Sequence, residues 1–136
     1  MIKNSSILRG QSIQGIIEID PSKSDWKKLA KYNSQTGKYY VLSKITSWTE
    51  AQAEAQRLGG NLITINNADE QQWILNAFGT KGNYWIGLKK NLSNGAWEWT
   101  NGEAVNYLNW SPNEPNNYGG TENYGMIIGD QDSRYY

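Results

Sequence analysis

The sequence contains no cysteine and no histidine. Without cysteine, the chain has no disulfide framework, no zinc–thiolate site and no cysteine nucleophile. Without histidine, it lacks the commonest general base, and with it the Ser-His-Asp triad and the histidine metal sites. These two absences exclude most classes of enzyme. They leave carboxylate and amide chemistry, which suits hard cations and sugar hydroxyls.

The sequence also has no excess of charge and no long apolar run. Its 13 Lys and Arg residues balance 13 Asp and Glu residues, so neither nucleic acid nor an anionic membrane is expected as a partner. No stretch approaches the ~18 apolar residues of a transmembrane helix, and residues 1–9 lack the apolar segment of a signal peptide. With 136 residues, 7 Trp and 9 Tyr, the chain is typical of one folded domain, or of one domain with an arm.

Periodicity and capping residues predict two helices and several short strands. Ser47 and Glu50 form a capping box before the first helix, and Gly59-Gly60 ends that helix. Asn67 caps the second helix, which Gly79 ends. The predicted buried faces are Trp48, Ala51, Ala55 and Leu58 on the first helix, and Trp73, Ile74, Ala77 and Phe78 on the second. Strands are predicted at 13–19, 39–42, 61–65, 84–88, 97–99 and 124–128, with residues 21–36 as a linker.

Residues 100–123 form a long segment that is rich in Asn, Gly and Pro and has little periodicity. A loop of this length in a compact domain is typically functional or held by a ligand. It contains Glu114-Pro115-Asn116 and, further on, Glu122-Asn123. Their side-chain oxygens are ligands that a calcium ion could gather at ~2.3–2.6 Å, and the same groups suit sugar hydroxyls. The same residue types are also ordinary in turns, so the tripeptide alone does not decide between a site and a turn.

Several motifs together resemble those of the C-type lectin-like domain, over about residues 37–124. They are the two helices in order, Trp85-Ile86-Gly87-Leu88, Trp97-Glu98-Trp99, Asn109-Trp110, Glu114-Pro115-Asn116 and Glu122-Asn123. The resemblance implies an α+β fold with two helices on a small antiparallel sheet and a long ligand-binding loop. The four tryptophans of these motifs (Trp85, Trp97, Trp99 and Trp110) are expected in the core, because a cysteine-free domain needs them there.

The resemblance also implies a site in the long loop. In this family Glu-Pro-Asn marks the principal calcium site and accompanies mannose-, glucose- or fucose-type sugars. Metal ligands are then expected at Glu114, Asn116, Glu122 and Asn123. Sugar contacts are expected at Glu114, Asn116 and Glu122, with Tyr118 stacking on a sugar face. Pro115 is expected to follow a cis peptide bond.

Three departures from the family pattern bear on these expectations. The family's cysteines are absent and Tyr124 stands where one is expected, which resembles disulfide-free bacterial members. Lys90, Asn94 and Asn117 stand at the positions of an auxiliary calcium site, and because a lysine repels a cation we expect that site to be absent. The family's Trp-Asn-Asp segment does not follow residue 128, so the one principal calcium site is expected to be incomplete in this chain. Asp130 and Asp132 are interpreted as a solvated turn.

The N-terminal residues suggest an explanation for the missing segment. Residues 14–19 resemble the last strand of the family, and residues 3–6 resemble the loop that leads into it. The interpretation is therefore a strand region at 1–20, a linker at 21–36 and the lectin-like domain at 37–136. Three arrangements would account for a last strand that comes first in the sequence. The chain is a slice of a tandem array cut out of phase, it is a circular permutant, or its N-terminal strand completes a neighbouring copy by strand exchange. We favour a return of the strand onto its own domain.

The function expected from these features is calcium-dependent binding of mannose-, glucose- or fucose-type sugars without catalysis. The chain would lie outside the cell or at its surface, as part of a larger protein. The alternative is a calcium-independent protein-interaction or structural module on the same fold. Glycoside hydrolysis by Glu114 and Glu122 has no support beyond two acids in one loop.

Overall fold

We describe the protein from a computed structural model. The structure describes residues 13–19, 30–79, 82–110 and 123–128, together with the backbone of residues 2–5. Within these ranges the chain forms two helices and one eight-stranded sheet. The helices are α1 (Trp48–Arg57) and α2 (Ala68–Phe78); the strands are β1 (Ile2–Ser5), β2 (Gln14–Ile19), β3 (Lys31–Asn33), β4 (Lys38–Ile45), β5 (Asn61–Leu62), β6 (Asn83–Lys90), β7 (Trp97–Trp99) and β8 (Tyr124–Ile128).

Both helices begin where the capping residues predict. The Ser47 hydroxyl accepts a hydrogen bond from the Glu50 amide at 3.2 Å, and the Asn67 side chain accepts one from the Glu70 amide at 2.9 Å. Each bond satisfies an amide that has no partner within the first turn of its helix. Gly59, with φ +85°, follows α1 and supplies the left-handed residue that ends it. No helix in the described ranges has the length and apolar character needed to cross a membrane.

The strands follow the order β1-β8-β6-β2-β4-β3, with β5 beside β2 and β7 beside β6. The pairs between these strands are antiparallel except β2–β6, where Gln14 and Gly15 lie parallel to Tyr84 and Trp85. The predicted α+β arrangement of two helices and a sheet is confirmed, and this one parallel pair makes the sheet mixed. Gly87 of β6 makes the close contact with β5, since a Cβ atom there would lie 2.5 Å from the Leu62 carbonyl oxygen.

Two short strands differ from the sequence interpretation. Residues 3–6 were expected to form a loop, but the backbone of residues 2–5 forms β1 and pairs with β8 in the register Ile2↔Ile127. Residues 31–33, expected to belong to a linker, form β3 and pair with β4. Neither segment has the alternating apolar pattern that reveals a strand in sequence, since β1 reads Ile-Lys-Asn-Ser and β3 reads Lys-Tyr-Asn.

The core has two parts, and β2 contributes to both. Ile16 belongs to a cluster with Tyr40, Ile74 and Ile86, whereas Ile17 belongs to a cluster with residues of α1. Successive side chains of a strand point to opposite faces, so β2 is buried on both faces. This explains why its sequence is a nearly continuous apolar run and not an alternating one.

β2 also carries a buried carboxylate. The Glu18 side chain is only 10% exposed, its Oε2 accepts a hydrogen bond from the Tyr40 hydroxyl at 2.9 Å, and the Lys38 Nζ lies 3.7 Å from Oε1. Burial raises the pKa of Glu18, while Lys38 and the Tyr40 hydrogen bond act in the opposite direction. Burial and the neighbouring Glu18 charge together raise the pKa of Tyr40, so its hydroxyl stays protonated and remains a donor.

Candidate functional site

The predicted site falls largely in a part of the chain that is not described. Glu114, Asn116, Tyr118 and Glu122 lie outside the described residues, as do Pro115, Asn117, Asp130 and Asp132. Asn123 is the predicted ligand that the structure does describe, and it is half-buried. The geometry that bears on the site is therefore that of the two flanks of segment 111–122.

The N-terminal flank is fixed by aromatic packing. The Trp110 and Trp97 rings lie with their centroids 5.2 Å apart and their planes at 63°. This edge-to-face arrangement is the one that aromatic pairs favour, and it adds about 0.5–1.5 kcal/mol to the effect of burial. Val105, Tyr107 and Leu108 also pack against the core. The chain thus reaches residue 110 anchored on β7 and on the body of the domain.

The C-terminal flank is fixed by a backbone hydrogen bond and by a stacked ring. The Lys90 amide donates to the Asn123 carbonyl at 2.8 Å, and Tyr124 then enters β8 opposite Lys89. The Tyr124 ring stacks on Trp48 of α1, with centroids 4.6 Å apart and an interplanar angle of 26°. Asn123 is consequently held at the end of β6, next to the first residue of β8.

The two flanks meet at one position in the sheet. Lys90, which binds Asn123, is the register partner of Trp97, which packs on Trp110. The twelve residues 111–122 therefore leave and re-enter the described structure at neighbouring points. Two ordered, adjacent ends reduce the conformational entropy that a loop must lose when its side chains gather around a ligand.

The described surroundings of this position do not themselves form a metal centre. Within the described ranges, no group of three or more His, Cys, Asp or Glu side chains comes together. Lys90 is half-buried at the position where the auxiliary calcium site would lie, and the exposed Asn94 uses its side-chain oxygen to accept from the Ala96 amide at 2.9 Å. The expected absence of the auxiliary site remains a prediction. A principal calcium site would draw its carboxylates from Glu114 and Glu122.

The tryptophans of the motifs lie in or against the core, as predicted. Trp85 and Trp99 are 2% and 3% exposed, and Trp97 and Trp110 are half-buried against the same core. Sequence reasoning missed the contact between Trp48 and Tyr124. The available signal was a tyrosine at the position where the resemblance expects a cysteine, since an aromatic ring there needs a packing partner.

Comparison with known proteins identifies relatives of this chain. The sequence profile of the family described as "Lectin C-type domain" matches residues 44–134. Human lymphocyte antigen 75 is 36% identical over 93 residues, which is 67% of this chain and 5% of that protein. Human C-type lectin domain family 17, member A is 38% identical over 82 residues, which is 60% of this chain and 22% of that protein. The chain thus spans only a small part of the length of these relatives.

A solved structure has the same architecture. It is the crystal structure of the cow C-type carbohydrate-recognition domain of CD23 in the presence of GlcNAc2Man3 oligosaccharide. The TM-score is 0.56 at 24% sequence identity, and the match covers 88% of this chain and 73% of that chain. At this level of identity the likeness concerns the fold, and it confirms the fold predicted from the sequence motifs.

Proposed function

Because this chain belongs to the Lectin C-type domain family, we propose that its long loop binds mannose-, glucose- or fucose-type sugars through a calcium ion. Domains of this family are carbohydrate-binding modules and not catalysts, so the domain is not an enzyme. The proposed metal ligands are Glu114, Asn116, Glu122 and Asn123. Tyr118 is proposed to stack on a sugar face.

The observation that carries the proposal is the common anchor of the two loop flanks. Trp110 and Asn123 are held by Trp97 and Lys90, which are partners on one strand pair. Calcium takes 6–8 oxygen ligands, and a loop that starts and ends at one place can present several of them to one point. A calcium ion can also accept two hydroxyls of one sugar, while carboxylate and amide groups bond the same hydroxyls.

The sugar class rests on the Glu-Pro-Asn sequence of the loop. The mannose-containing oligosaccharide present with the cow CD23 domain is of the proposed class. We further propose that the domain works outside the cell or at its surface, as part of a larger protein, which the small share of its relatives' length supports. The absence of cysteine supports its assignment to the disulfide-free, bacterial type.

We also propose that residues 13–19 take, within the same molecule, the position of the last strand of the family. Three features support this: β2 is antiparallel to β4, it contacts β6 on its other side, and Ile16, Ile17 and Ile19 are fully buried. Strand exchange with a second copy, or with a neighbour in a tandem array, would use the same contacts between molecules.

Thermal unfolding with calcium and with excess EDTA tests the proposed function. An ion that binds only the folded state stabilises it by about 2.7 kcal/mol when its concentration is 100 times the dissociation constant. We expect a higher melting temperature in calcium, and chelator-sensitive binding to immobilised mannose. Glu114→Gln should remove both effects, whereas Glu50→Gln, an exposed change on α1, should leave both unchanged.

The same measurements distinguish the alternative. If wild-type protein melts at one temperature in calcium and in EDTA and does not bind mannose, the calcium-dependent function is refuted. A calcium-independent interaction module would then be favoured. If Glu50→Gln abolishes the calcium effect as fully as Glu114→Gln, the placement of the site in the long loop is wrong.

A further inference from the structure

The first strand of the chain lies beside the C-terminal flank of the long loop. β1 stands at one end of the strand order, next to β8. Its register places Asn4 opposite Gly125 and Ser5 opposite Tyr124. Tyr124 directly follows Asn123, the proposed metal ligand that the structure describes. The amide and the hydroxyl of β1 thus belong to its last two residues, at the end of the strand that adjoins the loop.

Asn4 and Asn123 lie on one face of the sheet. The hydrogen bond from the Lys90 amide to the Asn123 carbonyl, at 2.8 Å, continues the β6–β8 ladder by one residue. Alternation along β8 therefore puts Asn123 on the same face as Gly125. Asn4 shares that face, because it is the register partner of Gly125.

The N-terminal flank of the loop is on the same face. Ile127, two residues beyond Gly125 along β8, belongs to the core cluster against which Trp110 packs. The chain therefore leaves the described structure at Trp110 and re-enters it at Asn123 on the face where Asn4 lies. An ion bound between the two flanks would be on this face as well.

The spacing allows Asn4 and Asn123 to share an ion. Diagonal neighbours on one face of an antiparallel pair lie ~7–8 Å apart, and Gly125 puts no side chain beside Asn4. An ion at ~2.3–2.6 Å from each amide oxygen can bridge such a span, and calcium takes 6–8 oxygen ligands. The loop and Asn123 supply four of the proposed ligand residues, so a further amide oxygen fits the donor set.

A positive charge on this face lies on the other side of β8. Lys90 of β6 pairs with Asn123, and β8 separates β6 from β1. Neighbouring strands are ~4.8 Å apart, so β1 is two strand spacings away from β6. An ion held from the β1 side is therefore farther from the lysine than one held over β6, which favours a ligand from β1.

We propose that Asn4 is a further ligand of the calcium ion, so that the first strand of the chain contributes to a site whose other ligands come from residues 114–123. This inference rests on the proposed function, since it adds a residue to the same ion. It gives β1 a role in binding as well as in the sheet. Calcium binding and the docking of β1 on β8 then stabilise each other.

Calcium titration by calorimetry, without sugar and at constant ionic strength, tests the assignment. Asn4→Ala removes the side-chain oxygen and should weaken calcium binding about tenfold or more, since the loss of an outer-shell partner alone has such an effect. Asn4→Asp replaces the amide oxygen by a carboxylate and should strengthen binding about tenfold, because calcium affinity rises with the charge of its ligands. In EDTA, Asn4→Ala should melt at the wild-type temperature.

Ser5 provides matched controls on the other face of the same strand. Its register partner is Tyr124, whose ring stacks on Trp48 of α1. Ser5→Ala and Ser5→Asp repeat the truncation and the added charge one residue away. Both should keep the calcium affinity within about twofold of the wild-type value, as expected for a charge that does not coordinate the ion.

Two-dimensional NMR of ¹⁵N-labelled protein reports on the coordination itself. The side-chain amide signal that is absent from the spectrum of Asn4→Ala identifies Asn4. We expect calcium to shift this signal in the wild-type protein, in proportion to the occupancy measured by calorimetry. A signal that stays in place while calcium binds would contradict the proposal.

The outcomes separate this inference from the function on which it rests. Weaker calcium binding by Asn4→Ala, with wild-type affinity in Ser5→Ala, supports it. If Glu114→Gln abolishes calcium binding but Asn4→Ala binds as tightly as the wild type, the assignment of Asn4 is wrong and the calcium-dependent function stands. Equal gains in Ser5→Asp and Asn4→Asp would also overturn the assignment. If neither the wild type nor Asn4→Asp binds calcium, the inference and the proposed function both fall.

Discussion

Replacing Tyr40 by Phe tests the polar cluster that holds β2 in the middle of the sheet. Tyr40 is 1% exposed, its hydroxyl donates to the Glu18 Oε2 at 2.9 Å, and the Thr36 hydroxyl lies 2.8 Å away. The substitution removes one oxygen atom and leaves the ring, so it creates little cavity. Its effect on the free energy of unfolding should therefore report mainly on the lost hydrogen bond.

The expected cost depends on pH in a definite direction. At pH 7 the hydrogen bond is to an ionised carboxylate, and such bonds contribute about 1.5–3 kcal/mol. Burial raises the pKa of Glu18 above its ordinary 4.5. The Glu18 carboxylate is therefore protonated at a higher pH in the folded protein than in the unfolded chain. Ionised Glu18 thus opposes folding, and stability rises as the pH falls toward 4.5. Once Glu18 is protonated, the bond joins neutral groups and contributes about 0.5–1.5 kcal/mol.

Urea unfolding of the wild type and of Tyr40→Phe, at pH values from 7 down to 4, measures this difference. We expect the variant to lose more stability at pH 7 than at pH 4. Glu18→Gln should be at least as stable as the wild type at pH 7, since it removes the buried charge and keeps an acceptor. In Glu18→Gln, the Tyr40→Phe change should have a small effect that does not depend on pH. A pH-independent cost of Tyr40→Phe in the wild-type background would refute the reasoning.

Two further predictions concern the packing that holds β2 and the loop. Trp48→Phe should lower the free energy of unfolding, measured in urea, by about 1–3 kcal/mol, because the buried Trp48 indole donates to the Ile86 carbonyl at 2.7 Å and that carbonyl would lose its partner. Trp85→Phe loses a part-buried hydrogen bond to the Thr46 carbonyl at 2.9 Å and should lower it by less. The reverse ranking of the two variants would contradict this reasoning. Sedimentation analysis should give a single species of 15.4 kDa at all protein concentrations if β2 returns onto its own domain, whereas a concentration-dependent dimer would indicate strand exchange.

The sequence predicted best those elements whose signals are local. Ser47 and Asn67 mark the starts of α1 and α2 because a short polar side chain can satisfy an amide of the first helical turn. The apolar run at β2 predicted a buried strand, since only a strand covered on both faces has so little alternation. In such segments the residues that determine the structure lie within one turn or one strand of each other.

The features that sequence reasoning missed depend on partners distant along the chain. β1 is a strand only because β8, more than a hundred residues later, offers its edge. Glu18 and Tyr40 are ordinary residues in the sequence, and they form a buried pair only when β2 lies beside β4. For the candidate site, the motifs predicted which residues to examine, but not that Trp97 and Lys90 would anchor both flanks at one place.

The stack of Tyr124 on Trp48 shows how a domain without cysteine can hold the residues that follow segment 111–122. Tyr124 follows Asn123 directly, and Trp48 is itself fixed through its hydrogen bond to the Ile86 carbonyl. The loop end is thereby linked through two rings to α1 and to the central part of β6. A disulfide acts largely by restricting the unfolded chain, whereas these rings act only in the folded state. The position of Asn123 therefore depends on the stability of the whole domain. On the proposed function, changes that weaken α1 packing should weaken ligand binding as well.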